Sequence, residues 1–266
     1  MSALSDALSA ARADGRAALI GYLPVGYPDV DTSIEAMIAM VEGGVDIVEV
    51  GLPYSDPGMD GPVIQRAVDP AVRAGVGPRD ALLGAKAVAG SGAAAVVMSY
   101  WNPIEHYGVE RFARDLAAVG GSGVITPDLI PDEAGAWIAA TDAAGLDRVF
   151  LVAPSSTDAR IVSTVAACRG FVYAASTMGV TGTRDAVGTA ASDLVARVRA
   201  LTPEAVVCVG LGVSNGDQAA EIAGFADGVI VGSAFVRCLL DAQTPAEGIA
   251  AVRALARDLA AGVRRR

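Results

Sequence analysis

Lysine and histidine are almost absent from this 266-residue chain, which contains one of each, Lys86 and His106. An enzyme that forms a Schiff base needs a lysine amine in its active site, and Lys86 falls in a predicted helix far from any strand end. A zinc centre built on several histidines is excluded by the count. Chemistry performed by this chain therefore has to use carboxylates, hydroxyl groups and main-chain amides.

Cysteine is scarce, and positive net charge and long apolar runs are missing. The three cysteines are widely spaced and form no Cys-x-x-Cys pair, which argues against disulfide frameworks and zinc sites and favours a reduced, cytoplasmic setting. No apolar run reaches the roughly 18 residues of a membrane span. The formal net charge of −10 is unsuited to the phosphate backbone of nucleic acids. We therefore expect a cytoplasmic protein with no metal site and no nucleic-acid or membrane partner.

Eight apolar, β-like runs alternate with eight Ala-rich segments whose apolar residues recur at helical spacing. The predicted strands cover 18–23, 46–51, 94–100, 123–128, 148–153, 171–176, 205–210 and 228–233. The predicted helices cover 32–43, 79–90, 108–119, 132–144, 157–167, 190–200, 215–224 and 246–262. Strands that are apolar throughout are typical of a parallel sheet covered by helices.

This alternation predicts an α/β fold, a single-domain (β/α)8 TIM barrel over residues 1–266 with an extra N-terminal helix over 1–14. A doubly wound open sheet is the alternative. Against it, the first strand–helix turn has no G-x-G-x-x-G pattern and no linker divides the chain. In a barrel the chemistry lies at the C-terminal ends of the strands, where the predicted loops 51–62 and 176–189 are unusually long.

One carboxylate stands inside an apolar strand. Glu49 lies in "DIVEVG", where side chains alternate, so Val48 and Val50 should meet the helix layer and Glu49 should point into the barrel mouth. The structural alternative is a buried acid paired with a distant arginine. A second acid, Asp60, follows on the 51–62 loop. On pattern alone Asp60 is more typical of a turn residue before glycine.

Three Gly-bearing stretches follow the last three predicted strands, at 178–182, 210–214 and 231–234. Glycine lets a backbone approach a ligand closely, and main-chain N–H groups with a helix N-terminus bind anions. Ser233 adds a hydroxyl and is expected to open a short helix there. These stretches predict a phosphate site, and ordinary turn glycines are the alternative.

Eight motifs, in order between residues 17 and 240, together resemble the tryptophan synthase alpha chain. They are "GYLPVGYPD", "VEVGLPYSDPGMDGP", "SYWNPIEHYG", "PDLIPDEA", "VFLVAPSS", "YAASTMGVTG", "GLGVS" and "GVIVGSAFV". The resemblance implies retro-aldol cleavage of indole-3-glycerol phosphate to indole and glyceraldehyde 3-phosphate, as part of tryptophan biosynthesis. The chain departs from the family's usual pattern at Gly58 and Met59, often Leu-Ala, and at Tyr54 and Tyr22, often Phe.

The resemblance also implies roles for individual residues. Glu49 and Asp60 match the two catalytic acids of the family. Thr181 matches the threonine of its mobile lid loop. The residues that match the family's phosphate cradle are Gly182, Gly212, Gly232 and Ser233. The residues that match those surrounding the apolar part of the substrate are Tyr22, Ile64, Tyr173 and Leu211.

The family works with a partner, a beta chain that carries pyridoxal phosphate, in an alpha2-beta2 tetramer. The alpha chain itself is implied to need no cofactor. The residues that match the family's contacts with the beta chain are Asp56, Pro57, Trp101, Asn102 and Pro103, which we expect on exposed loops. Two alternatives remain on sequence grounds: a standalone indole-releasing lyase, and a weakly catalytic subunit that mainly regulates a partner enzyme. Another phosphate-binding barrel is disfavoured, because the chain lacks most of the paired Asp, His, Cys or Lys residues of such enzymes.

Overall fold

The structure of the chain is a computed structural model that describes residues 2–175 and 184–265. Within those residues nine parallel strands form one sheet with the hydrogen-bonded order β5-β4-β3-β2-β1-β9-β8-β7-β6. In chain order, β1 to β9 are Ala18–Pro24, Ile47–Gly51, Ala94–Met98, Gly123–Ile125, Asp147–Val149, Leu151–Val152, Val172–Ala175, Val207–Gly210 and Gly228–Val231.

The sheet closes on itself at the fifth predicted strand. The two end members of the order, β5 and β6, are consecutive in the chain and separated only by Phe150. β5 pairs with β4 on one side and β6 pairs with β7 on the other. β5 and β6 are therefore two halves of one strand, and the nine segments form a closed barrel of eight strands. This confirms the predicted (β/α)8 fold.

Twelve α-helices are present in the described part of the chain. In chain order, α1 to α12 are Ala3–Ala13, Val30–Gly43, Pro62–Arg73, Pro78–Gly90, Trp101–Tyr107, Val109–Ala118, Gly135–Ala144, Asp158–Ala167, Arg184–Leu201, Gly216–Ala223, Ser233–Leu240 and Pro245–Val263, with a short 3₁₀ turn at Pro131–Glu133. None of these helices combines the length and apolar character needed to cross a bilayer.

The core has two parts. The larger part lies between the strands and the surrounding helices and contains Val48 and Val50. The smaller part fills the barrel and contains Ile47 with Leu4 and Leu8 of α1. Helix α1 therefore closes the N-terminal end of the barrel, and the C-terminal end is left for a site.

Helix α1 is tied to the barrel by a buried carboxylate. Asp147, at the start of β5, is 3% exposed. It accepts hydrogen bonds from the hydroxyls of Ser2 and Ser5, and Ser2 also caps the helix by accepting from the Ser5 main-chain N–H at 3.1 Å. These bonds join the start of α1 to the start of β5.

Three of the sequence predictions need correction. Helix α3 was not among the predicted helices, and the start of α5 was expected on an exposed loop; each helix contains a proline, Pro70 and Pro103. Pro103 lies in the first turn of α5, where a missing N–H is tolerated. The predicted loop 176–189 overlaps α9, because this helix begins at Arg184 and not at residue 190 as predicted. Its Ala-rich sequence favours a helix, and residues 176–183 lie outside the described part of the chain.

Candidate active site

Glu49 points into the mouth of the barrel. It occupies the middle of β2, next to Tyr22 on β1 and Val96 on β3. Its neighbours Val48 and Val50 pack against the helix layer, as the period-2 alternation of a strand predicts. The side chain is 3% exposed. The strand therefore fixes a carboxyl group in an apolar surrounding.

The Glu49 carboxyl group is not paired with a cation in the described part of the chain. Its Oε1 atom is buried and has no hydrogen-bond partner there. Burial raises the pKa of Glu49 from its ordinary 4.5 to about 8, because removing the carboxylate from water disfavours the charged form. The alternative of an arginine-paired structural acid does not describe this residue. At neutral pH Glu49 is mainly a neutral acid that can deliver a proton.

Asp60 is held over the same opening by a tyrosine from the next strand. The Tyr100 hydroxyl donates to Asp60 Oδ1 at 2.9 Å, and the Met59 main-chain N–H donates to the Tyr100 oxygen at 3.0 Å. The Gln65 amide donates to the Asp60 carbonyl at 2.8 Å. Burial raises the pKa of Asp60, and the hydrogen bond from Tyr100 opposes that rise. The carboxylate therefore takes part in a tertiary contact rather than a local turn.

A cavity of about 200 Å³ joins the two acids at the C-terminal ends of the strands. Nine of the predicted site residues line it: Tyr22, Glu49, Asp60, Ile64, Tyr173, Leu211, Gly212, Gly232 and Ser233. Thr181 and Gly182 lie outside the described residues. The cavity has further lining residues that were not predicted from the sequence, namely Met59, Met98, Ile125, Pro127, Leu151, Ala175, Gly210 and Ile230. Except for Met59, which lies in the loop between β2 and α3, these residues lie on a strand or within two residues of its end, and that position is the signal that identifies them.

The tryptophan synthase alpha chain family model matches residues 8–264. The alpha chain of Thermobifida fusca (strain YX) is 62% identical over 266 residues, 99% of this chain and 98% of the relative. That of Acidothermus cellulolyticus is 63% identical over 265 residues, 100% of this chain and 98% of the relative. The chain belongs to the tryptophan synthase alpha chain family.

Solved structures agree with this assignment. A tryptophan synthase structure from Mycobacterium tuberculosis shares 59% identity and a TM-score of 0.91, covering 98% of each chain. The alpha subunit from Legionella pneumophila str. Paris shares 27% identity and a TM-score of 0.88, covering 99% of this chain and 98% of the other. The barrel is thus common to family members whose sequences have diverged widely.

One end of the cavity is suited to an anion. Gly232 precedes the first residue of α11, Ser233, and no side chain caps that first turn. Gly212 adopts a left-handed backbone conformation with φ of +56°, which glycine accepts without strain. Free N–H groups at a helix N-terminus attract negative charge. No lysine, arginine or histidine is among the described residues that line the cavity, so an anion there would be held by N–H and hydroxyl groups.

The Tyr22 ring forms a wall of the cavity and is confined by glycines on two sides. A Cβ atom added to Gly51 would lie 2.6 Å from the Tyr22 hydroxyl and Cε2. A Cβ atom added to Gly232 would lie 3.4 Å from Cδ1 of the same ring. Because Tyr22 is 6% exposed, the ring has little room to retreat. Glycine at position 51 is therefore required by packing and not by backbone conformation.

Gly51→Ala is expected to lower the free energy of unfolding by about 1–3 kcal/mol, the usual cost of overpacking a core. Gly58→Ala is the matched control. A Cβ atom there would meet no heavy atom within 4 Å, and the Gly58 backbone does not have positive φ. The control should stay within about 0.5 kcal/mol of the parent. Urea unfolding of the three proteins measures the difference, and equal midpoints for both variants would contradict the packing argument.

The predicted partner-contact residues do not all lie on exposed loops. Asp56 is exposed and Pro57 half-buried in the loop between β2 and α3. Trp101, Asn102 and Pro103 instead form the first turn of α5, and the Trp101 ring is half-buried. It packs edge-on against a buried tryptophan, Trp137, with ring centroids 5.9 Å apart. The segment expected to be a loop is therefore a helix, and its tryptophan packs partly against the core.

A second cavity, of about 450 Å³, lies at the opposite end of the barrel beside α1. It is larger than the site at the barrel mouth, but two of the arginines that line it are already paired with carboxylates. Arg16 binds Asp46 through two nitrogens at 2.7 and 2.8 Å, and Arg199 binds Asp227 at 3.0 Å. Barrel enzymes place their chemistry at the other end. We therefore assign this cavity a structural origin.

Proposed function

We propose that the chain cleaves indole-3-glycerol phosphate to indole and glyceraldehyde 3-phosphate as the alpha subunit of tryptophan synthase. The observation that carries this proposal is the pairing of two unlike acids on one cavity. Glu49 is buried, has no partner for Oε1 among the described residues and is mainly neutral, whereas Asp60 accepts a hydrogen bond that favours its charged form. Two carboxyl groups whose surroundings differ in this way are suited to different roles in one reaction.

Glu49 supplies the proton that starts the cleavage. The neutral acid protonates C3 of the indole ring, which places positive charge on the ring nitrogen. The resulting carboxylate takes the proton of the glycerol hydroxyl next to the scissile bond. That carbon becomes the aldehyde, the electrons of the broken carbon–carbon bond return to the ring, and Glu49 is protonated again. One residue therefore serves as acid and then as base.

Asp60 stabilises the charge that this proton transfer creates. Its carboxylate accepts a hydrogen bond from the indole N–H, and the attraction grows as the ring nitrogen becomes positive. A charged acceptor in a partly buried site acts most strongly on the developing charge. The apolar faces of Tyr22, Ile64, Tyr173 and Leu211 hold the indole between the acids.

The glycines after the last strands are proposed to bind the phosphate group of the substrate. Gly212, Gly232 and the hydroxyl of Ser233 hold the substrate phosphate with main-chain N–H groups at the start of α11. Thr181 and Gly182, in the segment between β7 and α9, are proposed to complete the site. The proposed chemistry uses carboxyl groups alone, so we propose that the chain needs no cofactor. In the described residues no group of three or more His, Cys, Asp or Glu side chains is arranged to hold a metal ion.

The proposed partner is the tryptophan synthase beta chain, which carries the pyridoxal phosphate of the complex, in an alpha2-beta2 tetramer in the cytoplasm. Asp56 and Pro57 would meet it together with the first turn of α5, Trp101, Asn102 and Pro103. Support comes from their placement. The loop that carries Asp56 also carries Asp60, and α5 begins directly after Tyr100, so one contact segment contains the second acid and the other follows the residue that binds it.

Indole release from indole-3-glycerol phosphate tests the proposal, first with the chain alone and then with an added beta chain. We expect slow release by the isolated chain and a rate increase of at least tenfold when the beta chain is present. Full activity without the beta chain would instead identify a standalone lyase. No release under either condition would leave only the regulatory alternative and reject the proposed reaction.

A further inference from the structure

We propose that Tyr100 is a positioning residue that holds the Asp60 carboxylate over the cavity, in the orientation that meets the ring nitrogen of the substrate. This inference rests on the proposed function and adds a residue to it. Tyr100 was recognised only as part of a motif in the sequence, and it does not itself line the cavity. Its effect on the reaction would therefore pass through Asp60.

The hydroxyl of Tyr100 has one proton, and its surroundings direct that proton to Asp60. The Met59 main-chain N–H donates to the oxygen at 3.0 Å, so the oxygen is the acceptor on that side. Its own proton is then free for Asp60 Oδ1 at 2.9 Å. A hydroxyl that accepts and donates at once fixes both neighbours. Two consecutive loop residues, Met59 and Asp60, are thereby bound to one side chain.

Tyr100 is itself anchored to the barrel. It follows β3 by two residues and is 3% exposed. On one side of it the Ser99 main-chain N–H donates to the Ile125 carbonyl at 3.0 Å. On the other side the Trp101 main-chain N–H donates to both carboxylate oxygens of Asp128, at 2.9 and 3.1 Å. Side chains anchored to rigid elements hold a site more accurately than loop residues do. Through its hydrogen bonds, Tyr100 therefore fixes Met59 and Asp60 of the β2–α3 loop relative to the barrel.

The hydrogen bond also acts on the charge of Asp60. Burial raises the pKa of Asp60, and Tyr100 is the group that lowers it. Glu49, Tyr22 and Tyr173 are the other titratable groups lining the same cavity, and Asp128 lies near Tyr100. None of these carries a positive charge that would replace the hydroxyl. Loss of the Tyr100 hydroxyl should therefore leave Asp60 both less fixed and less ionised.

Tyr100→Phe tests the inference, with Tyr54→Phe as the matched control. The Tyr54 ring lies 5.4 Å from that of Tyr100, and its hydroxyl makes no hydrogen bond to the described residues. We expect Tyr100→Phe to reduce kcat for indole release by about 10- to 100-fold, the range for a hydrogen bond to a charged group. The acid limb of the pH profile of kcat/KM should move to higher pH. Tyr54→Phe should stay within twofold of the parent in both measurements.

A double-mutant cycle separates positioning from general damage. In an Asp60→Ala background the Tyr100 hydroxyl has no carboxylate to hold, so adding Tyr100→Phe should reduce kcat by less than twofold. Asp128→Ala releases the Trp101 N–H and loosens Tyr100 without touching its hydroxyl. A fall in kcat of about two- to fivefold is expected for it, which provides a second test if Tyr100→Phe folds poorly.

Three results would overturn the inference. They are an unchanged kcat and acid limb in Tyr100→Phe, an equal loss in the Asp60→Ala background, or an unchanged kcat in Asp128→Ala when Tyr100→Phe does not fold. Failure of the proposed function gives a different result, because the parent protein itself would then release no indole with or without the beta chain.

Discussion

Glu49→Gln is expected to reduce kcat for indole release by about 10²- to 10⁴-fold while KM changes by less than about threefold. Glutamine keeps the volume of the side chain and its place on β2, so the cavity and the indole-binding surface are preserved. It has no proton to give to C3 and cannot take one from the glycerol hydroxyl. The loss therefore falls on the chemical step and not on binding.

The matched control is Glu221→Gln, the same change on the exposed face of α10. It should leave kcat and KM unchanged, because surface substitutions away from a site have little effect. Both variants are to be assayed with and without the beta chain, since activation by the partner should still occur for the control. A Glu49→Gln enzyme that keeps most of its kcat would remove Glu49 from the proposed catalytic role.

The orientation of Glu49 was predictable because it depends on a local rule. Side chains alternate along a strand, so the apolar residues Val48 and Val50 determine where their neighbour points. The barrel was also predictable from local patterns, because apolar β-like runs alternate along the chain with segments whose apolar residues recur at helical spacing. The predicted strands are present in the structure, and their boundaries differ from the prediction by a few residues.

The bond between Tyr100 and Asp60 was not predictable, because the two residues are 40 positions apart. Nothing in the spacing of either motif shows that the strand-2 loop folds back over the end of β3. The contact requires both the pairing of β2 with β3 and the path of the loop. On pattern alone Asp60 was more typical of a turn, and the structure instead places its side chain in a tertiary contact with Tyr100. The catalytic role that the resemblance implies for Asp60 stays a prediction.

Two helices, α3 and α5, were not predicted from the sequence, and each contains a proline. Pro70 lies inside α3 and removes one N–H, but Ala67, Val68 and Ala71 bury the inner face of the helix. Burial of an apolar face outweighs a local propensity when the two conflict. The break of the fifth strand at Phe150 is also a tertiary feature, since it follows from how β4 and β7 meet the two halves.

Glu49→Gln is also expected to make the protein more stable, and increasingly so as the pH rises. A carboxyl group whose folded-state pKa is raised above its unfolded value binds its proton more tightly in the folded state. For Glu49 these values are about 8 and 4.5. Below pH 4.5 both states are protonated and the residue adds no pH dependence. Between these values the folded state alone keeps the proton, so parent stability falls by about 1.4 kcal/mol per pH unit.

The difference between the two proteins isolates this effect, because every other titrating group is common to both. Urea unfolding at pH 5, 6, 7, 8 and 9 should give a stability gap that widens from near zero and levels off above about pH 8. Its upper bound is roughly 5 kcal/mol, as the unfolded and folded pKa values imply. A gap that stays constant across this range would show that Glu49 is not buried as a neutral acid. A widening gap together with the loss of kcat would show that the same buried carboxyl group destabilises the fold and performs the chemistry, a trade-off typical of active sites.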